Sequence, residues 1–218
     1  MDYHEENLGG YMAKLEGKKI AIVATHGFEE SELFQPMEAL KNEGATVEIV
    51  SLKNEEIKSW KDKDWGRTIQ VDHVFSETKA SDYDGMVLPG GVINADTLRG
   101  EDEAVEFVKS FAESGKPIAV ICHGAWILVE ADIVHDCEMT SWHSLKTDLQ
   151  NAGAVWVDRE VVVDNGLVSS RYPDDIPAFN RKMIEEFAEG KHTPRKASAE
   201  FDDDELADDD TEALQVHH

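Results

Sequence analysis

Short apolar runs that alternate with helical patterns constrain most strongly what this chain can fold into. The apolar runs occupy residues 18–25, 46–50, 84–88 and 117–121. The helical patterns occupy residues 31–43, 101–114 and 125–134. A short continuous apolar run suits a strand that is buried on both faces, and parallel neighbours need crossover connections between them. The sequence therefore predicts an α/β fold: a doubly wound, mostly parallel sheet with helices on both faces.

Smaller elements are predicted around this sheet. Residues 53–68 are charged and predict irregular structure, and residues 68–75 predict a small pair of edge strands. The C-terminal half predicts helices over 144–152 and 174–189 and antiparallel strands over 155–158, 161–163 and 167–169. An Asn165-Gly166 turn joins the last two strands. We expect a single domain over 18–190 with an N-terminal extension, 1–17, and a disordered acidic tail, 191–218.

The formal net charge of −25 restricts the possible partners. Residues 191–218 hold nine acidic and three basic residues, which leaves −19 on residues 1–190. Nucleic acid and acidic membrane surfaces would be repelled, so neither is an expected partner. A halophilic protein would carry such a surface because salt screens its self-repulsion, and an ordinary acidic protein is the alternative.

The chain has two cysteines, Cys122 and Cys137. Two are too few for a disulfide framework and indicate thiol chemistry in a reducing cytoplasm. No apolar run is long enough to span a membrane, and the first residues lack the basic and apolar blocks of a signal peptide. His135, Cys137 and His143 match no standard zinc spacing. We therefore predict no metal site and no cofactor.

Groups able to do chemistry follow three of the predicted strands. They are residues 26–32, Pro89-Gly90-Gly91, and Cys122-His123-Gly124. Ligands bind at the carboxyl ends of parallel strands, so we expect these groups to meet at one edge of the sheet.

Cys122 is the predicted nucleophile. A strand, the nucleophile, one residue, a glycine and a helix form the layout of a nucleophile elbow, in which Gly124 eases the turn. A helix N-terminus favours a thiolate, so we expect Cys122 to be exposed with a lowered pKa. The alternative is a buried, inert cysteine, which is the expectation for Cys137 because no elbow surrounds it.

The neighbouring groups have functional and structural interpretations. His123 either partners the Cys122 thiol or only lines the surface. The three carboxylates Glu29, Glu30 and Glu32 either interact only with the helix dipole, or one of them points into the site. Gly90-Gly91 either places a backbone amide against an oxyanion or forms a tight turn and nothing more.

The sequence resembles the PfpI intracellular protease family, in the ThiJ/PfpI group of class I glutamine-amidotransferase-like folds. The resemblance runs from about residue 18 to residue 189. It rests on residues 27–33 (GFEESEL), 88–91 (LPGG), 119–124 (AVICHG), 140–141 (TS), 151–154 (NAGA) and 169–171 (SSR). One departure is Trp142-His143, where relatives usually carry Tyr-Pro, which removes a phenol from the pocket wall.

The resemblance implies a flavodoxin-like sandwich that assembles into dimers or larger rings. The roles it implies are Cys122 as nucleophile, Glu32 as the carboxyl that hydrogen-bonds the thiol, His123 as catalytic imidazole, Gly91 as oxyanion amide, and Gly90, Gly124 and Trp142 as substrate-site residues. Asp96 of the neighbouring subunit would orient the imidazole.

Three functions follow from the resemblance. In the first, Cys122 adds to a small carbonyl, Glu32 or His123 moves a proton between adjacent carbons, and water releases a hydroxy acid. This glutathione-independent glyoxalase or deglycase chemistry needs only a small pocket and is favoured. A cysteine peptidase acting on peptides, which needs an extended groove, is second, and a non-enzymatic redox sensor is third.

Overall fold

A computed structural model of the chain describes residues 13–195, which form an α/β fold. Its strands are β1 (Lys19–Val23), β2 (Thr46–Ser51), β3 (Glu56–Lys61), β4 (Asp64–Gln70), β5 (His73–Val74), β6 (Gly85–Leu88), β7 (Ile118–Ile121), β8 (Glu138–Met139), β9 (Val155–Trp156), β10 (Val161–Asp164) and β11 (Leu167–Ser170). Its α-helices are α1 (Glu30–Asn42), α2 (Val92–Arg99), α3 (Asp102–Glu113), α4 (Ala125–Glu130), α5 (Lys146–Asn151) and α6 (Ile176–Glu189).

Seven strands form the central sheet in the order β10-β11-β7-β6-β1-β2-β5. All neighbours are parallel except β10 and β11, which are antiparallel. Successive residues of β1 enter opposite cores, since Ala21 and Val23 face the side of α3 and α4 whereas Ile20 and Ile22 face α1 and α6. The predicted doubly wound sheet with a helical layer on each face is confirmed.

The register of the central strands determines where the site lies. Ile22 of β1 is opposite Val87 of β6, and Leu88 of β6 is opposite Val120 of β7. The three strands therefore end almost level, and the segments that follow them meet at one edge of the sheet.

The prediction of irregular structure over 53–68 is wrong. Strands β3 and β4 form a separate hairpin with a two-residue turn, and Asp62 in that turn has φ 55°. Trp60 packs edge-on against the facing Trp65, with ring centroids 5.4 Å apart. The predicted edge pair over 68–75 is also wrong, because β5 instead joins the main sheet parallel to β2. The Trp60–Trp65 contact stabilises the β3–β4 hairpin, in which Ile57 is also buried.

Two further predictions need correction. The strand predicted over 155–158 is β9, which pairs in parallel with β8 rather than joining the antiparallel strands β10 and β11. Helix α2 was not predicted, and α4 ends four residues earlier than expected. The Asn165-Gly166 hairpin is as predicted, with φ of 45° and 80° at the two turn residues, as a tight hairpin requires.

The packed region extends a few residues beyond the predicted domain boundaries. Leu15, within the predicted extension, is fully buried, and its N–H donates to the Glu43 carbonyl at 2.8 Å. At the other end, the N–H of His192 donates to the Gly115 carbonyl at 2.7 Å. The remainder of the predicted extension and tail, 1–12 and 196–218, lies outside the described residues. Between residues 13 and 195, no helix is both long and apolar enough to cross a membrane.

Candidate active site

The turn after β7 holds the predicted nucleophile in an unusual backbone conformation. Cys122 has φ 62°, in the left-handed region that only glycine adopts without strain. Residues Cys122–Gly124 form a single 3-10 turn that leads into α4. A Cβ at Gly124 would lie 2.6 Å from the Leu88 carbonyl oxygen, so this position needs glycine. The geometry is that of the predicted elbow.

The Cys122 sulfur is nevertheless enclosed. The residue is 6 % exposed, and its Sγ lies 3.2 Å from Nδ1 of His123. Burial, and then the neighbouring Glu32 carboxyl, raise the pKa of the thiol well above its usual range, although the N–H groups of His123 and Gly91 directed at the sulfur oppose this. The predictions of an exposed thiol and a lowered pKa are therefore wrong, because desolvation outweighs the two amides.

Glu32 is the one of the three candidate carboxylates that reaches the site. It is fully buried on α1, contacts Cys122, and its Oε2 accepts the Gly90 N–H at 2.8 Å. Burial, and then the charge of Glu29, raise the pKa of Glu32 to about 8. The carboxyl group therefore keeps its proton at neutral pH.

Glu29 and Glu30 have structural contacts instead. Glu29 caps α1, where its Oε2 accepts from the Ser31 N–H at 2.6 Å. Glu30 Oε2 accepts from the Arg67 N–H at 2.9 Å and the Ser59 hydroxyl at 2.8 Å. These contacts, led by the Arg67 N–H, lower the pKa of Glu30 to about 2 and attach the hairpin to α1.

The glycine turn after β6 forms the wall opposite the sulfur. A Cβ at Gly90 would lie 2.4 Å from Glu32 Oε2 and 2.6 Å from Cys122 Cβ, so only glycine allows the thiol and carboxyl to approach. Gly91 has φ 90°. Asn94, which was not predicted, holds this turn, since its Nδ2 donates to the Pro89 carbonyl at 3.0 Å and its Oδ1 accepts the Thr25 N–H at 2.7 Å.

His123 lies between two tryptophans. Its ring stacks on Trp142 at 5.6 Å and 27° and meets the edge of Trp126 at 5.2 Å and 66°. Burial, and then His143, lower the pKa of His123 to about 4, so the imidazole is neutral near pH 7. Trp142, predicted as a substrate-site residue, thus lies against the imidazole, and Trp126 was missed because its helical position gave no sign of this contact.

Other predicted groups lie away from this cluster. Asp96 is exposed on α2, near the exposed side chains of Val92 and Ile93. Cys137 is buried, and its sulfur accepts from Arg195 Nη1 at 2.6 Å.

This chain is similar in sequence to one known protein family and to several known proteins. Residues 18–186 match the DJ-1/PfpI family. The chain is 41% identical over 169 residues to General stress protein 18 of Bacillus subtilis, covering 77% of this chain and 96% of that protein. It is 38% identical to the Putative cysteine protease YraA of Bacillus subtilis and 38% identical to Protein/nucleic acid deglycase 2 of Escherichia coli, each covering 77% of this chain and 96% of the relative. The chain therefore belongs to the DJ-1/PfpI family.

Proposed function

We propose that this protein is a cytoplasmic cysteine enzyme that converts small reactive carbonyl compounds, or their adducts, to hydroxy acids. The observation that carries the proposal is the buried cluster of the Cys122 thiol, the neutral His123 imidazole and the protonated Glu32 carboxyl. A nucleophile, a proton acceptor and a proton donor are thus in contact before substrate arrives. Such a set is what addition to a carbonyl carbon requires.

The first step forms a carbon–sulfur bond. The Cys122 sulfur adds to the aldehyde carbon of a 2-oxoaldehyde, and Nδ1 of His123 accepts the thiol proton. The Glu32 carboxyl protonates the developing oxyanion, which gives a hemithioacetal. The N–H groups of Gly91 and His123, directed at the sulfur, stabilise the thiolate that forms as His123 takes the proton.

The second step moves hydrogen within the substrate. The Glu32 carboxylate left by the first step removes the proton from the former aldehyde carbon, and a proton returns to the adjacent carbonyl carbon. The ketone oxygen becomes a hydroxyl and the hemithioacetal hydroxyl becomes a carbonyl, which yields a 2-hydroxy thioester on Cys122. Water then attacks the thioester, releases the 2-hydroxy acid and restores the thiol. Water is the only co-reactant, and no net oxidation occurs.

The enclosure and charge of the site favour small neutral substrates. Because the thiol is 6 % exposed and faces a wall that admits no Cβ at Gly90, a compact carbonyl fits better than an extended peptide. The net charge of −25 disfavours adducts on nucleic acid. One relative carries deglycase in its name, and another is named as a general stress protein, which supports carbonyl repair as the broader role.

The test is formation of lactate from methylglyoxal without glutathione. We expect activity in the wild type and a loss of about 100-fold or more in Cys122→Ala, since the nucleophile is gone. Cys137→Ala is the matched control, because it removes the other buried thiol and should retain activity. Equal activity in wild type and Cys122→Ala would refute the proposal.

Peptidase activity and redox sensing remain alternatives with distinct outcomes. A groove of about 900 Å³ lies at Phe75, Phe107 and Lys116, and Cys122 is not part of its lining. Cleavage of casein that is lost in Cys122→Ala would favour a peptidase. Mild peroxide that oxidises Cys122 and changes assembly, in a protein without either activity, would favour a sensor, although burial and a raised thiol pKa oppose rapid oxidation.

We also propose that the site is completed in a homo-oligomer by Asp96 of the partner subunit. Exposed Val92 and Ile93, at 52% and 43%, lie on the same short helix and offer apolar contact area. When the two inactive variants Asp96→Asn and Cys122→Ala are mixed in equal amounts, about half of the random dimers contain one chain of each. In each mixed dimer one of the two sites has both native groups, so about a quarter of all sites should regain activity. Absence of any restoration in verified mixed dimers would exclude the shared site.

A further inference from the structure

The C-terminal end of α6 brings together three side chains of types that can bind metal ions, away from the candidate active site. Glu186 and Glu189 are three residues apart and share one face of the helix. Gly190, with φ 94° and ψ −130°, ends the helix and reverses the chain, so that His192 returns beside Glu186. One ligand atom from each of the three residues lies within 4.8 Å of the others.

The imidazole of His192 lacks a hydrogen-bond partner at the nitrogen that faces this cluster. Its Nε2 is buried and has no hydrogen bond among the described residues, yet it lies 3.3 Å from Glu186 Oε2. Two ligands about 2.0 Å from a tetrahedral metal are separated by about 3.3 Å, so this distance fits two ligands on one ion as well as a direct histidine–carboxylate ion pair. A buried polar atom without a partner calls for such an explanation.

The position of His192 is set by contacts outside the cluster. Its N–H donates to the Gly115 carbonyl at 2.7 Å. Its ring packs directly on Gly166, where a Cβ would lie 2.4 Å from Cδ2. The Asn165 side chain forms two hydrogen bonds with Thr193, the residue that follows His192. Its Nδ2 donates to the Thr193 carbonyl at 3.0 Å, and its Oδ1 accepts the Thr193 N–H at 3.2 Å. The imidazole is therefore held in place before any ion binds, which reduces the ordering needed for binding.

We propose that Glu186, Glu189 and His192 bind a divalent transition-metal ion such as Zn²⁺, with water at the remaining position. One imidazole and two carboxylates are ligands that zinc uses, whereas Mg²⁺ and Ca²⁺ prefer oxygen ligands alone. Glu186 is 9 % exposed, so a cation there would offset the cost of burying its carboxylate. The ion would fasten residues 191–195, which already hydrogen-bond to Gly115 and Asn165, to the end of α6.

Calorimetric titration of the full chain with Zn²⁺ after chelator treatment tests the site. Every protein carries Cys122→Ala, so that the active-site thiol adds no zinc binding. In that background we expect Glu189→Gln and His192→Ala each to weaken binding by about tenfold or more. Glu38→Gln, which removes an exposed carboxylate from α1, is the charge-matched control and should bind as the background does.

Thermal unfolding gives the second measurement. Zn²⁺ should raise the Tm of the background and of Glu38→Gln but not that of Glu189→Gln, a substitution at an exposed position that leaves the fold intact. The proposal is overturned if Glu189→Gln binds Zn²⁺ like the background, if Glu38→Gln weakens binding equally, or if Mg²⁺ stabilises the chain as well as Zn²⁺. The first result would place the zinc elsewhere, and the other two would indicate diffuse attraction to an acidic surface.

Discussion

Replacing Glu32 with glutamine should stabilise the fold while impairing the chemistry. The pKa of Glu32 rises from its ordinary value of 4.5 to about 8 because the carboxyl is fully buried. Below pH 4.5 the carboxyl is protonated in both folded and unfolded chains and contributes no pH dependence. Between 4.5 and 8 it ionises only in the unfolded chain, so stability falls as pH rises through that window and levels off above it.

The size of this effect follows from the two pKa values. At about 1.4 kcal/mol for each pH unit, the ionisable carboxyl lowers stability by about 3 kcal/mol at pH 7 and by about 5 kcal/mol well above pH 8. Glutamine cannot ionise, and its side-chain oxygen still accepts the Gly90 N–H. The gain in stability of Glu32→Gln over wild type should therefore grow by about 3 kcal/mol between pH 5 and pH 8.

Urea denaturation of wild type and Glu32→Gln at pH 5, 6, 7 and 8 measures this difference directly. All other titrating groups are common to both chains and cancel in the comparison. Glu38→Gln, on the exposed side of the same helix, is the matched control for removing one carboxylate from α1. If the difference in free energy of unfolding between wild type and Glu32→Gln stays constant from pH 5 to pH 8, Glu32 does not titrate as a buried acid.

Three further predictions concern the site and the surface. Gly90→Ala should destabilise the fold by about 1–3 kcal/mol and lower activity, because the added Cβ would lie 2.4 Å from Glu32 Oε2. Tm and lactate formation measure the two effects, and a normal Tm with full activity would contradict this prediction. The value of kcat/KM should fall below about pH 4, where His123 becomes protonated, and above about pH 8, where Glu32 loses its proton. A fall in kcat/KM centred near pH 6.5 would refute the neutral imidazole. The free energy of unfolding should rise steeply with KCl if the charge of −25 reflects a halophilic fold, and a flat response would favour an ordinary acidic protein.

The central fold could be predicted because its signals are local. The continuous apolar runs of β1, β6 and β7 carry the pattern of strands buried on both faces. The β3–β4 hairpin was missed because its stability comes from cross-strand contacts such as Trp60 with Trp65, which charge and periodicity do not reveal. Helix α2 was missed because its exposed Val92 and Ile93 break the usual apolar stripe.

The members of the site could be predicted more readily than its electrostatics. The order of strands places Cys122, Gly90 and Glu32 at one edge, and the elbow spacing singled out the thiol. The pKa of Cys122 could not be predicted in the same way, since it depends on how far neighbouring helices exclude water. A local pattern indicates the helix dipole and the amides, but only the packed structure shows that burial outweighs them.

The left-handed backbone at Cys122 makes the side chain of the nucleophile unfavourable for the stability of the fold. A side chain at φ 62° is unfavourable by about 1 kcal/mol relative to glycine, so Cys122→Gly should be more stable than Cys122→Ala. A directed-evolution screen that rewards thermal tolerance alone would therefore put no value on keeping the sulfur at this strained position. Laboratory selection of this scaffold has to score turnover alongside heat resistance to retain a working enzyme.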